Sequence, residues 1–221
     1  MQRILAILLC LCLMMPVSAK AEQYVALTFD DGPSGRFTRA LLDGLKKRDV
    51  KATFLICGYR IKDYPKEAQR IANEGHEIGL HGYSHGCMAK MCQEELEREI
   101  ADTLALLPEG CPPAFLRPPG GKYSDAVIDA AKQADLGILS WSVDPKDWAS
   151  QDATAIRQTV VKRIRDGDVV LLHDMSDSSV EAALAIIDEL KMQGFTFVTV
   201  SQLAKLKNVT IQPGKVYERF P

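Results

Sequence analysis

The chain has 221 residues, of which 47% are hydrophobic and 25% charged, and its formal net charge is −2. That length fits one large domain or two small ones, and the composition excludes a disordered tail, a collagen-like fibre and a multi-span membrane protein. With 27 basic against 29 acidic residues, no overall cationic excess is present to attract nucleic acid.

In chain order, residues 1–21 come first and read as an export signal. Arg3 gives the positive start, residues 4–15 are apolar and uncharged, and Pro16 breaks the run. Val17-Ser18-Ala19 and Ala19-Lys20-Ala21 both suit a signal peptidase. The apolar run is shorter than the roughly 20 residues a membrane helix needs. The expected product is an exported protein, secreted or held at the cell envelope, with no membrane span once the signal is cleaved. Cleavage takes Arg3 and Lys20 from a net charge of −2, leaving −4.

Cys57, Cys87, Cys92 and Cys111 then remain, and an exported protein sees conditions that permit disulfides. Four cysteines allow three pairings, and none of the spacings is that of a zinc site. A helix between Cys92 and Cys111 would hold them about 22 Å apart. Any bridge is therefore expected from Cys57 to Cys87 or Cys92, with free thiols as the alternative.

Past residue 21, strand-like and helix-like stretches alternate. Residues 24–29 read as a strand, and 36–48 as a helix with Phe37, Leu41, Leu42 and Leu45 on one face. A strand over 51–57 precedes a helix over 61–74, ended by Gly75. A strand over 76–80 precedes a helix over 93–107 with a charged outer face. Then follow a short strand at 114–117, a helix capped by Ser124 and running to 133, and a strand over 137–143. Helices at 153–165 and 178–192 flank a strand at 168–173. A strand over 195–200 leads to a last short helix capped by Ser201. Continuous apolar strands alternating with helices mean a parallel sheet covered by helices. About seven such units in residues 22–208 predict an α/β fold, a closed or nearly closed (β/α) barrel with outer helices; an open doubly wound sheet is the alternative. Residues 209–221 read as an irregular tail strapped across the surface.

The unusual polar residues fall at one end of these strands. Asp30 and Asp31 end the first strand, His81 and His85 follow the third, and Arg117 ends the fourth. Asp144, Asp147 and Trp148 follow the fifth strand, and His173 and Asp174 end the sixth. The carboxyl ends of barrel strands form the active face. His81-Gly-Tyr-Ser-His85 is a four-residue histidine spacing that aims two imidazoles at one point on a helical turn. Two histidines and one carboxylate, with open positions for water, make a catalytic divalent-metal site. Asp30-Asp31 offers that carboxylate. Adjacent aspartates on a turn point different ways, so one can bind metal while the other acts as base.

Thr28-Phe-Asp-Asp31, His81-Gly-Tyr-Ser-His85, Arg117-Pro-Pro-Gly120, Asp144-Pro-Lys-Asp-Trp148 and Val170-Leu-Leu-His173 stand in this order along the chain. Together they resemble the motifs of the polysaccharide deacetylase family with the NodB homology domain, carbohydrate esterase family 4, over about residues 22–205. The resemblance implies a distorted (β/α) barrel and metal-dependent removal of acetyl groups from a sugar polymer. It implies Asp30 as catalytic base, and Asp31, His81 and His85 as metal ligands. Arg117 resembles the residue that orients the base, His173 the general acid, and Asp144 the partner of that acid. Trp148 and Leu171 are similar to the walls of the acetyl pocket, and the Gly120 N–H takes the oxyanion position. Two positions depart from the family pattern. Gly82 stands where Ser or Thr is usual, which predicts a lost loop hydrogen bond. Gly120 stands where an aromatic is frequent.

The expected cofactor is a divalent metal, Zn²⁺ first and Co²⁺ or another ion as alternatives. The expected substrate is a polymer containing N-acetylglucosamine, peptidoglycan first and a chitin-like chain second, and the expected state is a monomer. Two other functions are weighed against this: a cyclic imide or ureide hydrolase of the same barrel, and a non-catalytic carbohydrate-binding relative.

Overall fold

The structure, a computed structural model, describes residues 22–221. The expected signal at 1–21 lies outside the described residues. The elements in order are β1 (Gln23–Asp30), α1 (Arg36–Lys47), β2 (Thr53–Ile56), α2 (Gly58–Asp63), α3 (Pro65–Asn73) and β3 (Glu77–Leu80). Then come α4 (Gln93–Leu104), β4 (Phe115–Leu116), α5 (Asp125–Gln133), β5 (Gly137–Leu139), α6 (Ala153–Arg163), β6 (Val169–His173), α7 (Asp177–Met192), β7 (Phe195–Phe197), α8 (Val200–Leu206) and β8 (Val216–Tyr217).

The strands pair in the order β6-β1-β2-β3-β4-β5-β8, and β7 pairs with the start of β1. All of these pairings are parallel. A parallel bridge from Val143 to Val170 ties the segment after β5 back to β6. The curled sheet thereby meets itself, which is the distorted barrel.

Strand alternation sorts the side chains into two layers. Val25, Leu27 and Phe29 of β1, Phe54 and Ile56 of β2, and Val170 and Leu172 of β6 pack outward against Leu41, Leu42, Leu45, Ile186 and Ile187 of the covering helices. Ala26, Leu55, Phe115, Leu139 and Val169 fill the other face with Tyr217 and Phe220. Asp30 and His173 share the parity of that inner face and are register partners at the carboxyl ends of β1 and β6.

Four expectations change. The last helix, α8, is capped by Thr199, whose side chain accepts the Gln202 N–H, and Ser201 lies inside it. The helix expected over 61–74 is two helices, because Pro65 lacks an N–H and starts α3 at its first position, with Tyr64 outside helical geometry. Ser124 stands at the N-cap of α5 but its side chain makes no capping bond. The tail is not an irregular surface strap. Val216–Tyr217 form β8 on the edge of β5, Tyr217 stacks on Phe220, and both rings are buried. No helix among the described residues is long and apolar enough to cross a membrane.

Candidate active site

Asp30 is buried at the end of β1, and its Oδ1 lies 2.6 Å from Arg117 Nη1. Arg117 is fully buried, a costly place for a cation unless its donors are met. Each of its three nitrogens is bonded: Nη1 also donates to Thr28 Oγ1 at 2.8 Å, Nη2 to the Ser140 carbonyl at 2.8 Å, and Nε to the Leu139 carbonyl at 3.2 Å. The guanidinium is therefore locked, and the carboxylate it holds is locked with it.

Asp31 turns the opposite way through a positive φ of 70°. Its Oδ1 lies 3.2 Å from His81 Nε2 and 2.9 Å from His85 Nε2. The three ligand atoms lie within 4.8 Å of one another. Burial opposes the Asp31 charge, but His81 and His85 outweigh it and hold the carboxyl well below the usual carboxylate range. His81 is buried just past β3, with Nδ1 2.7 Å from the Arg117 carbonyl. A carbonyl only accepts, so Nδ1 donates to it and Nε2 is the ring nitrogen that faces Asp31. Asp31 Oδ1 is buried and receives no hydrogen bond of good geometry. A carboxylate oxygen and two imidazole nitrogens converging on one point form a donor set that suits a divalent ion.

The histidine pair is not on a helix. It lies in a loop in which Gly82 has φ 74° and His85 has φ 60°. Glu99, on α4, holds that loop. Its Oε2 accepts the N–H groups of Tyr83 at 2.6 Å and Ser84 at 2.9 Å, and its Oε1 accepts the Ser84 hydroxyl at 2.6 Å. A Cβ at position 82 would stand 2.9 Å from Glu99 Oε2 in addition to the strain of its φ. The bond expected to be lost at Gly82 is thus replaced from the helix. The sequence reading left Glu99 on a charged outer face.

His173 ends β6, and its ring Nδ1 lies 2.8 Å from Asp147 Oδ1. Asp147 Oδ2 also accepts the His173 backbone N–H at 2.9 Å. This corrects the assignment of Asp144 as partner of the acid. Asp144 Oδ1 instead accepts the Lys146 N–H at 2.7 Å, closing a turn in which Lys146 takes φ 57°. That turn delivers Asp147, buried, beneath the imidazole. Burial disfavours charge on His173, but the hydrogen bond and charge of Asp147 outweigh it and raise the imidazole to about 9.

These groups open into one cavity of about 420 Å³. Its polar floor is Asp30, Asp31, His81, His85 and His173. Gly120, Asp144, Leu171 and Trp148 line its sides, together with Trp141, which the sequence reading passed over. Trp148 is 67% exposed and stands at the rim rather than in a core. Trp141 packs where a Cβ on Gly121 would lie 2.5 Å from its ring. Arg117 is not among the residues that line the cavity and contacts Asp30 from behind. Cys57 is buried below the loop with Sγ 3.8 Å from the His81 carbonyl, and burial pushes its thiol pKa up. All four described cysteines are unpaired, so no Cys57 bridge is formed.

A family model for polysaccharide deacetylases matches residues 18–139. A peptidoglycan-N-acetylglucosamine deacetylase of Bacillus cereus is 41% identical over 193 residues, 85% of this chain and 91% of that one. A peptidoglycan-N-acetylmuramic acid deacetylase of Bacillus subtilis is 37% identical over 188 residues, covering 84% of this chain and 40% of that longer one. Among solved structures, a family 4 acetyl xylan esterase from Clostridium thermocellum in complex with a cobalt ion is similar at TM-score 0.84 and 36% identity, over 90% of this chain and 100% of that one.

Proposed function

The chain belongs to the polysaccharide deacetylase family, carbohydrate esterase family 4, and from that premise we propose that it hydrolyses N-acetyl groups on N-acetylglucosamine units of a polymer, peptidoglycan foremost. The observation that carries this reading is the placement of Asp30 and His173 in one cavity with the Asp31, His81 and His85 cluster.

Asp31, His81 and His85 would hold the divalent ion, Zn²⁺ by preference for a nitrogen and oxygen donor set, with Co²⁺ a competent substitute. When bound, such an ion supplies Lewis acidity, which makes water acidic near pH 7 and polarises a carbonyl. Asp30, aimed by Arg117, takes the proton from the attacking water. The Gly120 N–H is assigned to the developing oxyanion, where loss of one donor costs about 3–4 kcal/mol. His173, kept cationic by Asp147, gives its proton to the departing nitrogen, which otherwise leaves as a very poor anion. Leu171 and Trp148 wall the acetyl methyl. The products are acetate and a free amine on the sugar.

Residues 1–21 support export, and a cell-wall substrate lies outside the membrane, so the site of action we assign is extracellular. The non-catalytic alternative needs a missing base, acid or metal ligand, and Asp30, His173, Asp31, His81 and His85 are all present. Purified protein with added Zn²⁺ or Co²⁺ should release acetate from peptidoglycan or from N-acetylglucosamine oligomers. No acetate from either, with metal occupancy verified, overturns the proposal.

A further inference from the structure

The face opposite the catalytic cavity carries charge that the proposed reaction does not use. Between parallel strands the helices run back from the active end, so their last turns lie at the amino end of the sheet. There α6 ends in Lys162 and Arg163, and Arg165 follows in the loop before β6. The three are exposed and border a hollow of about 580 Å³ with Thr159 and Ile164. None of the three has a side-chain hydrogen bond or ion pair among the described residues. The acids beside them are engaged. Asp166 pairs with Lys207 and accepts the Tyr24 N–H at 2.8 Å, while Asp168 accepts the Arg165 N–H at 2.7 Å and lies 3.5 Å from Arg219 Nε. A helix C-terminus favours cations in its last turn, which accounts for Lys162 and Arg163. Arg165 stands beyond the helix, and its charge is left to solvent.

Apolar side chains join the cations on this face. Met192 ends α7 at 82% exposure, and Leu206 ends α8 at 45%. Both are tied to the end of α6. Glu189, in the turn before Met192, pairs with Arg157 of α6, and Lys207, next to Leu206, pairs with Asp166, next to Arg165. α1 ends alongside α7, where Arg48 lies 2.7 Å from Asp188, and it adds exposed Lys46 and Lys47 against the exposed Asp49. Exposed apolar tips beside unpaired cations are the composition of a surface that lies on an anionic bilayer. The cations meet headgroup phosphates, and the apolar tips enter the boundary between headgroups and acyl chains. A phosphate polymer in water would satisfy the cations but leave Met192 and Leu206 wet.

The path of the chain agrees. Residues 4–15 are apolar and uncharged, and the chain enters the barrel at the start of β1. Tyr24 is bonded through its N–H to Asp166 and through its carbonyl to the Gly167 N–H, so the entry point lies beside Arg165. The leading apolar run therefore joins the domain at this face. We propose that the end of the barrel formed by Lys162, Arg163, Arg165, Met192 and Leu206 docks on an anionic phospholipid surface, which turns the catalytic face away from the membrane.

Residues 22–221 hold the whole barrel and are tested, metal-loaded, without residues 1–21, whose own apolar run would bind lipid. Cosedimentation with mixed phosphatidylglycerol–phosphatidylcholine vesicles is compared with pure phosphatidylcholine vesicles and with soluble polyphosphate. Each cation at an anionic lipid surface contributes about fivefold in binding, so the triple variant Lys162→Gln, Arg163→Gln, Arg165→Gln should bind mixed vesicles about 100-fold more weakly. The double variant Met192→Ser, Leu206→Ser should bind them about tenfold more weakly. A charge-matched triple variant at the active end of the barrel, Lys66→Gln, Lys90→Gln, Lys122→Gln, should bind as wild type does. Urea unfolding shows that each variant is folded. Acetate release from soluble oligomers, which docking does not require, tests the deacetylase reading separately. Wild-type binding no stronger to mixed than to pure phosphatidylcholine vesicles, or an equal loss in the charge-matched variant, overturns the proposal. Polyphosphate binding by the wild type, with vesicle binding untouched by the Met192 and Leu206 changes, assigns the face to a phosphate polymer and overturns it as well.

Discussion

Asp147 holds His173 at two points, with one carboxylate oxygen 2.8 Å from the ring Nδ1 and the other accepting the backbone N–H of the same residue at 2.9 Å. The ring is thereby fixed in orientation as well as in charge, with Nε2 free for the substrate.

The pH profile follows from that pair. In its proposed role as acid, His173 must be cationic, so with its imidazole at about 9 it would be competent below that pH and lost above it. Asp147→Asn removes the charge that raises it. The alkaline limb of kcat/KM should move down by about one unit or more, and kcat should fall by about 10²–10⁴-fold. Asp144→Asn should leave the limb where it is. A limb that moves with Asp144 and not with Asp147 refutes the assignment.

Asp30 and Asp31 should separate chemistry from metal. Asp30→Asn keeps an acceptor facing Arg117 but no base, so turnover should drop about 10²–10⁴-fold with zinc content intact. His81→Ala should lose both zinc and activity. Metal analysis beside acetate release distinguishes the two variants, and parallel loss of zinc in both would remove Asp30 from the role of base.

Glu99 touches no reacting atom in this arrangement, yet it organises the loop that presents His85. Glu99→Ala should weaken zinc binding by about 10–100-fold. Activity should return at saturating zinc, because the ligands themselves remain. Competition with a chelating dye measures the affinity. Unchanged affinity would make Glu99 a helix-surface residue.

His76, buried next to Phe54, accepts the Ala52 N–H on Nδ1 at 3.2 Å. Burial lowers its pKa from 6.5 to about 4. The unfolded chain binds the proton first, so stability falls as pH drops from about 6.5 toward 4, and the cost at pH 4 is about 3 kcal/mol. Urea unfolding at pH 7 and pH 4 should show His76→Gln losing about that much less than wild type over the interval.

Much of the site was legible because β-strand parity and parallel topology act together. Asp30 and His173 end apolar strands on the same parity, so a parallel barrel brings them side by side. The choice between Asp144 and Asp147 was not legible. Both sit in one short loop, and the left-handed turn at Lys146 that selects between them leaves no periodic signal. Glu99 was hidden differently: a helix rich in Glu and Arg reads as solvated all round, and only the approach of the loop at Gly82 turns one carboxylate inward. The split at Tyr64-Pro65 did carry a signal, since proline ends the helix before it. A two-residue strand such as β8 is too short for alternation to mark.

β8 has a bearing on biosynthesis. Translation has supplied every residue assigned above to metal binding and proton transfer by residue 173, but the outer rim of β5 stays bare until Val216 and Tyr217 are polymerised. A nascent or clipped chain lacking them offers unsatisfied peptide groups to any foreign strand. Deleting Val216 and Tyr217 should therefore yield inclusion bodies rather than a slower enzyme.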